Sequence, residues 1–169
     1  WDGANWSPLG GGLHGPDSFS FVEVNSLIAV GTTLYAGGDF TMADGVWTIP
    51  PDQWTDPELI TATAVNSVAS WNGTNWAPVG EGVQFVDGNT QPGKVMALAY
   101  GNNTLYAGGN FNRAGGKNVS YIAQYSGGAW SGVGSGVLNE QWSSEPVIRT
   151  MLYSNNTLYI GGNFVAAGG

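Results

Sequence analysis

Short apolar runs, each cut off by glycine, asparagine or threonine, follow one another along the whole chain. In the middle of the sequence, residues 95–100 read VMALAY, the turn GNNT follows at 101–104, and LYA at 105–107 ends at Gly108 and Gly109. Runs of this length between turn residues predict strands, and no stretch carries the i, i+3, i+4 apolar spacing of a helix. Earlier in the same unit, strands are predicted over 67–71 and 76–79, on either side of Asn72-Gly73. Asn-Gly favours a hairpin turn because both residues tolerate positive φ. The other units repeat this order, with strands predicted at 24–30 and 148–153.

Two phrases recur in step. Residues 34–40 read LYAGGDF, 105–111 LYAGGNF and 158–164 LYIGGNF, while residues 1–6, 71–76 and 125–130 each begin and end on an aromatic. Spacings of 71 and 53 positions for the first phrase, and 70 and 54 for the second, define one unit of about 53 residues. The first copy is longer by an insertion. A single repeat domain over 1–169 follows, divided into repeat 1 at 1–70 with its insertion at 46–60, repeat 2 at 71–124, and an incomplete repeat 3 at 125–169. The expected fold is all-β, with about three four-stranded antiparallel blades of propeller type, as a partial propeller or an open repeat array. Trp1, Trp6, Tyr35, Trp71, Trp76, Tyr106, Trp130 and Tyr159 are expected to fill the gaps between blades. Each such ring contributes on the order of 4–6 kcal/mol as an upper estimate.

Composition narrows the class. Twenty-eight glycines, 12% aromatic and only 9% charged residues suit a β protein with many tight turns and argue against disorder. Four basic against twelve acidic residues, a formal charge of −8, exclude a nucleic-acid backbone as partner. No cysteine is present, so disulfides and thiolate metal sites are excluded. No apolar run is long enough to insert into a membrane. Sequons at Asn5, Asn72, Asn102, Asn118 and Asn155 mark candidate glycosylation sites, three of them in predicted hairpin turns. They point to an extracellular or cell-surface glycoprotein, against the plainer reading that Asn and Thr favour turns.

The phrase at 105–111, the small-residue turn Ala114-Gly115-Gly116 and the strand Ile122-Ala123-Gln124-Tyr125 carry a resemblance. They resemble the kelch and galactose-oxidase type of propeller repeat, with a double glycine after a hydrophobic strand and an aromatic further on. The likeness is closer to the LYxGGxF repeats of the cortical cell-polarity marker family and of large secreted repeat proteins. It covers nearly the whole chain, and it implies a fold, not an activity. Galactose-oxidase copper chemistry needs a cysteine, which is missing, and residues 70–76 are one residue short of a sialidase Asp-box.

Few residues point to chemistry. His14 has no second imidazole or nucleophile at a useful spacing, and no pattern selects two carboxylates among Glu23, Glu81, Asp87, Glu140 and Glu145 for glycoside hydrolysis. Asp39 and Asp44 suggest either a calcium loop or turn capping, and Asn110, Gly115, Asn163 and Gly168 at the equivalent positions favour capping. No enzyme, cofactor or metal is therefore expected. Candidate contact residues are Trp47 and Trp54 in the proline-rich insertion, and Phe19, Phe21, Phe85 and Trp142 in loops expected at 14–23, 84–94 and 138–146, all on one face.

The expected function is a non-catalytic extracellular structural or adhesive segment. Its partners are copies of itself or adjacent repeats, with glycans as a further class, and a glycosylated filament is one form it takes. A discrete carbohydrate- or protein-binding propeller module is the alternative, and a glycan-active enzyme a distant third. With fewer blades than a closed propeller needs, three readings stay open: a piece of a longer repeat chain, a subunit completed by neighbours, or an open spiral.

Overall fold

The computed structural model describes residues 2–48, 57–138 and 146–168. Among these the chain is all-β and contains no helix. Four small antiparallel sheets of three or four strands stand in a propeller-like arrangement, joined by three two-stranded pieces.

Each LYxGG phrase forms the second strand of a hairpin, here called a glycine hairpin. The three are Glu23–Val30 with Thr33–Asp39, Lys94–Gly101 with Thr104–Asn110, and Val147–Ser154 with Thr157–Asn163. The strands continue through the glycine pairs, where the sequence pattern predicted that they end. The reason is packing: a Cβ on Gly38, Gly109 or Gly162 would collide with the carbonyl oxygen of Glu23, Lys94 or Val147 on the partner strand, so only glycine keeps the pairing this close. All three hairpins break register at the same place, between Val24 and Ser26, Val95 and Ala97, and Ile148 and Thr150. Tyr35, Tyr106 and Tyr159 occupy equivalent register positions, opposite Ile28, Ala99 and Leu152.

The aromatic phrase forms a tryptophan hairpin, and it pairs with the glycine hairpin of the preceding repeat. Val68–Trp71 and Trp76–Pro78 extend the first glycine hairpin, with Leu34 opposite Trp71; Ile122–Ser126 and Ala129–Gly132 extend the second, with Leu105 opposite Tyr125. Both of these four-stranded sheets therefore cross a repeat boundary. The third glycine hairpin has only its own two strands among the described residues. At residues 72–75 the turn works differently from expectation. Gly73 alone takes positive φ, while the Asn72 side-chain carbonyl accepts the N–H groups of Thr74 and Asn75, both at 2.9 Å. The Asn102-Asn103 and Asn155-Asn156 turns do use positive φ at both residues.

A second row of sheets occupies regions where loops were expected. Gln84 to Pro92 is mostly a hairpin, Val83–Asp87 with Asn89–Pro92, which Arg113–Ala114 and Lys117–Asn118 widen to four strands. Its counterparts are Leu13–His14 with Met42–Ala43 and Thr63–Ala64, and Val137–Leu138 with Ala166–Ala167. The bonds that lace this row recur three times: Thr41, Asn112 and Val165 donate to the carbonyls of His14, Gln84 and Leu138, and Asp44, Gly115 and Gly168 donate to those of Gly12, Gly82 and Gly136. Three copies of one unit are thus visible in the hydrogen bonding as well as in the sequence.

Asp44 caps this structure. Its carboxylate accepts the N–H of Gly11 at 2.9 Å and that of Trp76 at 3.0 Å, so both oxygens serve backbone donors. That is the capping role, and it ties repeat 1 to repeat 2. Loss of two charge-assisted bonds in Asp44→Ala should lower stability by about 2–4 kcal/mol in a denaturant titration. Asp44→Asn, which keeps one acceptor oxygen and tolerates the φ of 54° found here, should lose less.

Candidate functional site

The glycine hairpins stack in a row, first against second and second against third, and no comparable packing joins the first to the third. Each joint uses the same fitting. A Cβ added to Gly37 would lie 2.5 Å from Val95 Cγ1 and 3.1 Å from Leu98 Cγ; one added to Gly108 would lie 2.7 Å from both Ile148 Cγ2 and Met151 Sδ. The first glycine of each pair is therefore a seat for two apolar side chains of the next repeat. Around the first joint, Leu98 N donates to Ser26 Oγ at 2.9 Å, Asn25 Nδ2 donates to Val95 O at 3.1 Å, and Lys94 pairs with Asp39 at 2.6 Å. At the second, the rings of Tyr106 and Tyr153 stack at 5.6 Å, and Asn102 donates to the Asn156 side-chain oxygen.

Burial and the neighbouring Tyr100 and Tyr125 raise the Tyr35 phenol above its ordinary range. The hydrogen bond to Asp39 raises the Lys94 ammonium. A raised lysine stabilises fully below its unfolded value and loses its contribution as pH climbs through the folded one. The pair is half exposed, so the loss should stay below about 1 kcal/mol. Thermal melts across an alkaline series should show it, and Asp39→Asn should abolish it.

A second fitting holds the tryptophan hairpins. Trp76 is 7% exposed and donates its indole N–H to Leu9 O at 2.9 Å; Trp130 is 2% exposed and donates to Val79 O at 2.7 Å. The expectation that Trp6 is buried in the same way is overturned, since Trp6 is 83% exposed. Trp76 and Trp130 are each held by a carbonyl of the repeat before their own, Leu9 and Val79. Tyr159, expected between blades, is also exposed, and Trp1 lies outside the described residues.

The ends of the row differ from its middle. Val24 and Leu27, at the positions of buried Val95 and Leu98, are 47% and 59% exposed. At the opposite end Gly161, equivalent to Gly37 and Gly108, has among the described residues only the Thr150 methyl near the position of an added Cβ.

The predicted contact residues do not gather into one cluster among the described residues. Trp47 lies on the short hairpin Val46–Thr48 with Glu58–Ile60, its ring edge-on to His14 at 6.0 Å. It lines a pocket of about 350 Å³ with Pro16, Asp17, Pro57, Glu58 and Leu59. Bonds from Ser20 and the Phe19 N–H hold the Asp17 carboxyl below its ordinary range, so this rim stays anionic. Phe19 and Phe21 are exposed on the adjoining loop, and Phe85 is half-buried on its strand opposite Gln91. Trp54 and Trp142 lie outside the described residues. Asn5, Asn72, Asn102, Asn118 and Asn155 are all solvent-exposed.

Among the described residues, no group of three His, Cys, Asp or Glu stands close enough to hold a metal ion, and no helix is long and apolar enough to cross a membrane. Fold and joints together define the class as a β-propeller-like repeat protein. No protein-family model matches the chain, and no curated protein is significantly similar to it.

Proposed function

We propose that this chain is a non-catalytic structural or adhesive repeat segment, extracellular or at the cell surface, that joins end to end with other copies or with further repeats. The observation that supports this best is the pair of unmatched end faces. Val95, Leu98 and Ile148 are buried and Met151 is half-buried at the internal joints, whereas the equivalent Val24 and Leu27 lie open, and among the described residues the Thr157–Asn163 strand lacks the partner that its two equivalents have. Exposed apolar faces and unpaired strand edges favour association, and proteins generally cover them.

Two measurements test it. Light scattering on natively sourced material should give masses above the 17.6 kDa of one chain, and a compact particle of that mass at every concentration would end the assembly reading. Peptide mass spectrometry should find sugar on at least one of Asn72, Asn102 and Asn155; unmodified asparagines there would remove the glycoprotein part alone.

The pocket beside Trp47 favours a second reading, a discrete binding module. Its aromatic wall and acidic rim suit a glycan or a cationic peptide segment. Trp47→Ala should then weaken binding on a glycan or peptide array while leaving assembly intact.

A further inference from the structure

The carboxylate of Asp44 rests on two backbone donors, the N–H groups of Gly11 and Trp76. One repeat further on, the residues at these three positions are Gly115, Glu81 and Trp130. The frame around them is unchanged: Gly115 N donates to Gly82 O as Asp44 N donates to Gly12 O, and Gly115 and Asp44 both take a φ of 54°. Gly127-Gly128 is a two-residue turn with positive φ at both positions, so Ser126 and Ala129 form its bonded pair and the backbone N–H and C=O of Trp130 point out of the sheet edge. Lys117 Nζ meets Trp130 O on that side at 3.2 Å. What differs is the acceptor. Gly115 has no side chain, and Gly115, Glu81, Trp130 and Lys117 line one cavity of about 300 Å³.

We propose that this cavity binds a small free α-amino acid, whose carboxylate takes the place that the Asp44 carboxylate holds in repeat 1. The first repeat shows what the two converging N–H groups accept, and paired backbone donors of this kind suit an anion. Charge agrees with geometry. Lys117 stands where repeat 1 has Val46, and it forms no ion pair among the described residues. Its ammonium therefore remains for the carboxylate of a ligand, as a charge-assisted bond beside the two N–H groups. On the other side the Glu81 side chain passes Gly116, with Oε2 3.3 Å from the position of an added Cβ. Glu81 forms no ion pair among the described residues either. A bare carboxylate would be repelled by Glu81, whereas a zwitterion can set its ammonium there. The volume lies at the low end for ligand cavities, which limits the amino acid to a small side chain. All of these residues belong to repeats 2 and 3 and none to the joints of the glycine hairpins, so the site stands apart from the end-to-end reading.

Titration with glycine, followed by amide NMR, reads the two donors directly. The N–H signals of Glu81 and Trp130 should move together and saturate, while those of Gly11 and Trp76, which Asp44 already holds, should stay in place. Gly115→Asp would graft the internal carboxylate onto the second repeat. It should shift the Glu81 and Trp130 signals without any ligand and abolish the response to glycine. A Cβ at this position meets Trp130 Cβ at 2.9 Å, so Lys117→Ala, which leaves the backbone untouched, supplies a second variant and should weaken glycine about tenfold. N-acetylglycine, which keeps the carboxylate and lacks the ammonium, should bind more weakly than glycine, and Glu81→Gln should remove that difference. Signals of Glu81 and Trp130 that ignore glycine over the whole titration would overturn the site. A response that survives both Gly115→Asp and Lys117→Ala would overturn it as well. Equal binding of N-acetylglycine and glycine would overturn the amino acid as its ligand.

Discussion

Trp130→Ala should lower the stability of the chain by about 3–5 kcal/mol, while Trp6→Ala should change it by less than about 0.5 kcal/mol under conditions where the chain is monomeric. The two residues hold the same place in the repeat, so the contrast isolates burial from sequence. Trp130 is fully enclosed by the core of the second sheet, its ring 5.2 Å from that of Tyr125, and its indole N–H saturates Val79 O. Truncation there leaves a large apolar cavity and removes a buried hydrogen bond. Trp6 is 83% exposed within one copy. Urea titrations of both variants against the wild type supply the comparison, and comparable losses would mean that Trp6 is seated internally after all.

Gly109→Ala should prevent folding or cost more than about 3 kcal/mol, whereas Gly161→Ala should stay within about 1 kcal/mol of the wild type. These glycines occupy neighbouring roles in LYxGG. The second of the pair faces backbone: a Cβ on Gly109 would strike the Lys94 carbonyl and lie 2.9 Å from Met96 N, and neither can retreat without breaking the register of the hairpin. The first faces the next repeat, and at Gly161 the nearest atom to an added Cβ is the Thr150 methyl at 3.0 Å, which can turn aside. Thermal melts of the two variants would separate these roles, and equal losses would show that the pair is needed only for strand conformation.

Much of the fold was legible because the repeat multiplied every local signal. Hairpins at Asn102-Asn103 and Asn155-Asn156, the strands around them and the equivalence of Tyr35, Tyr106 and Tyr159 follow from period and turn chemistry alone. Less legible was which strand pairs with which. The phrase order does not reveal that Val68–Trp71 belongs to the sheet of the preceding repeat, because strand pairing is a long-range choice that local pattern leaves open. The strands at 83–92 were read as loop for a different reason: Asn89–Pro92 is exposed throughout and has no apolar alternation. Trp6 was misplaced because the sequence marks it as equivalent to Trp76 and Trp130 but says nothing of the seat, which each repeat borrows from the one before.

Borrowing of this kind bears on copy number. The first two glycine hairpins are extended by the next unit through the same register, Leu34 to Trp71 in one case and Leu105 to Tyr125 in the next. Excision of residues 71–124 would bring the strand ending at Tyr125 against the first glycine hairpin, in the register it now keeps with the second. Whole units can therefore be lost or duplicated without inventing a new contact, whereas a cut of any other length leaves half a sheet behind. The array lengthens and shortens in quanta of one repeat, and each quantum begins inside a strand, at Trp71 and at Tyr125.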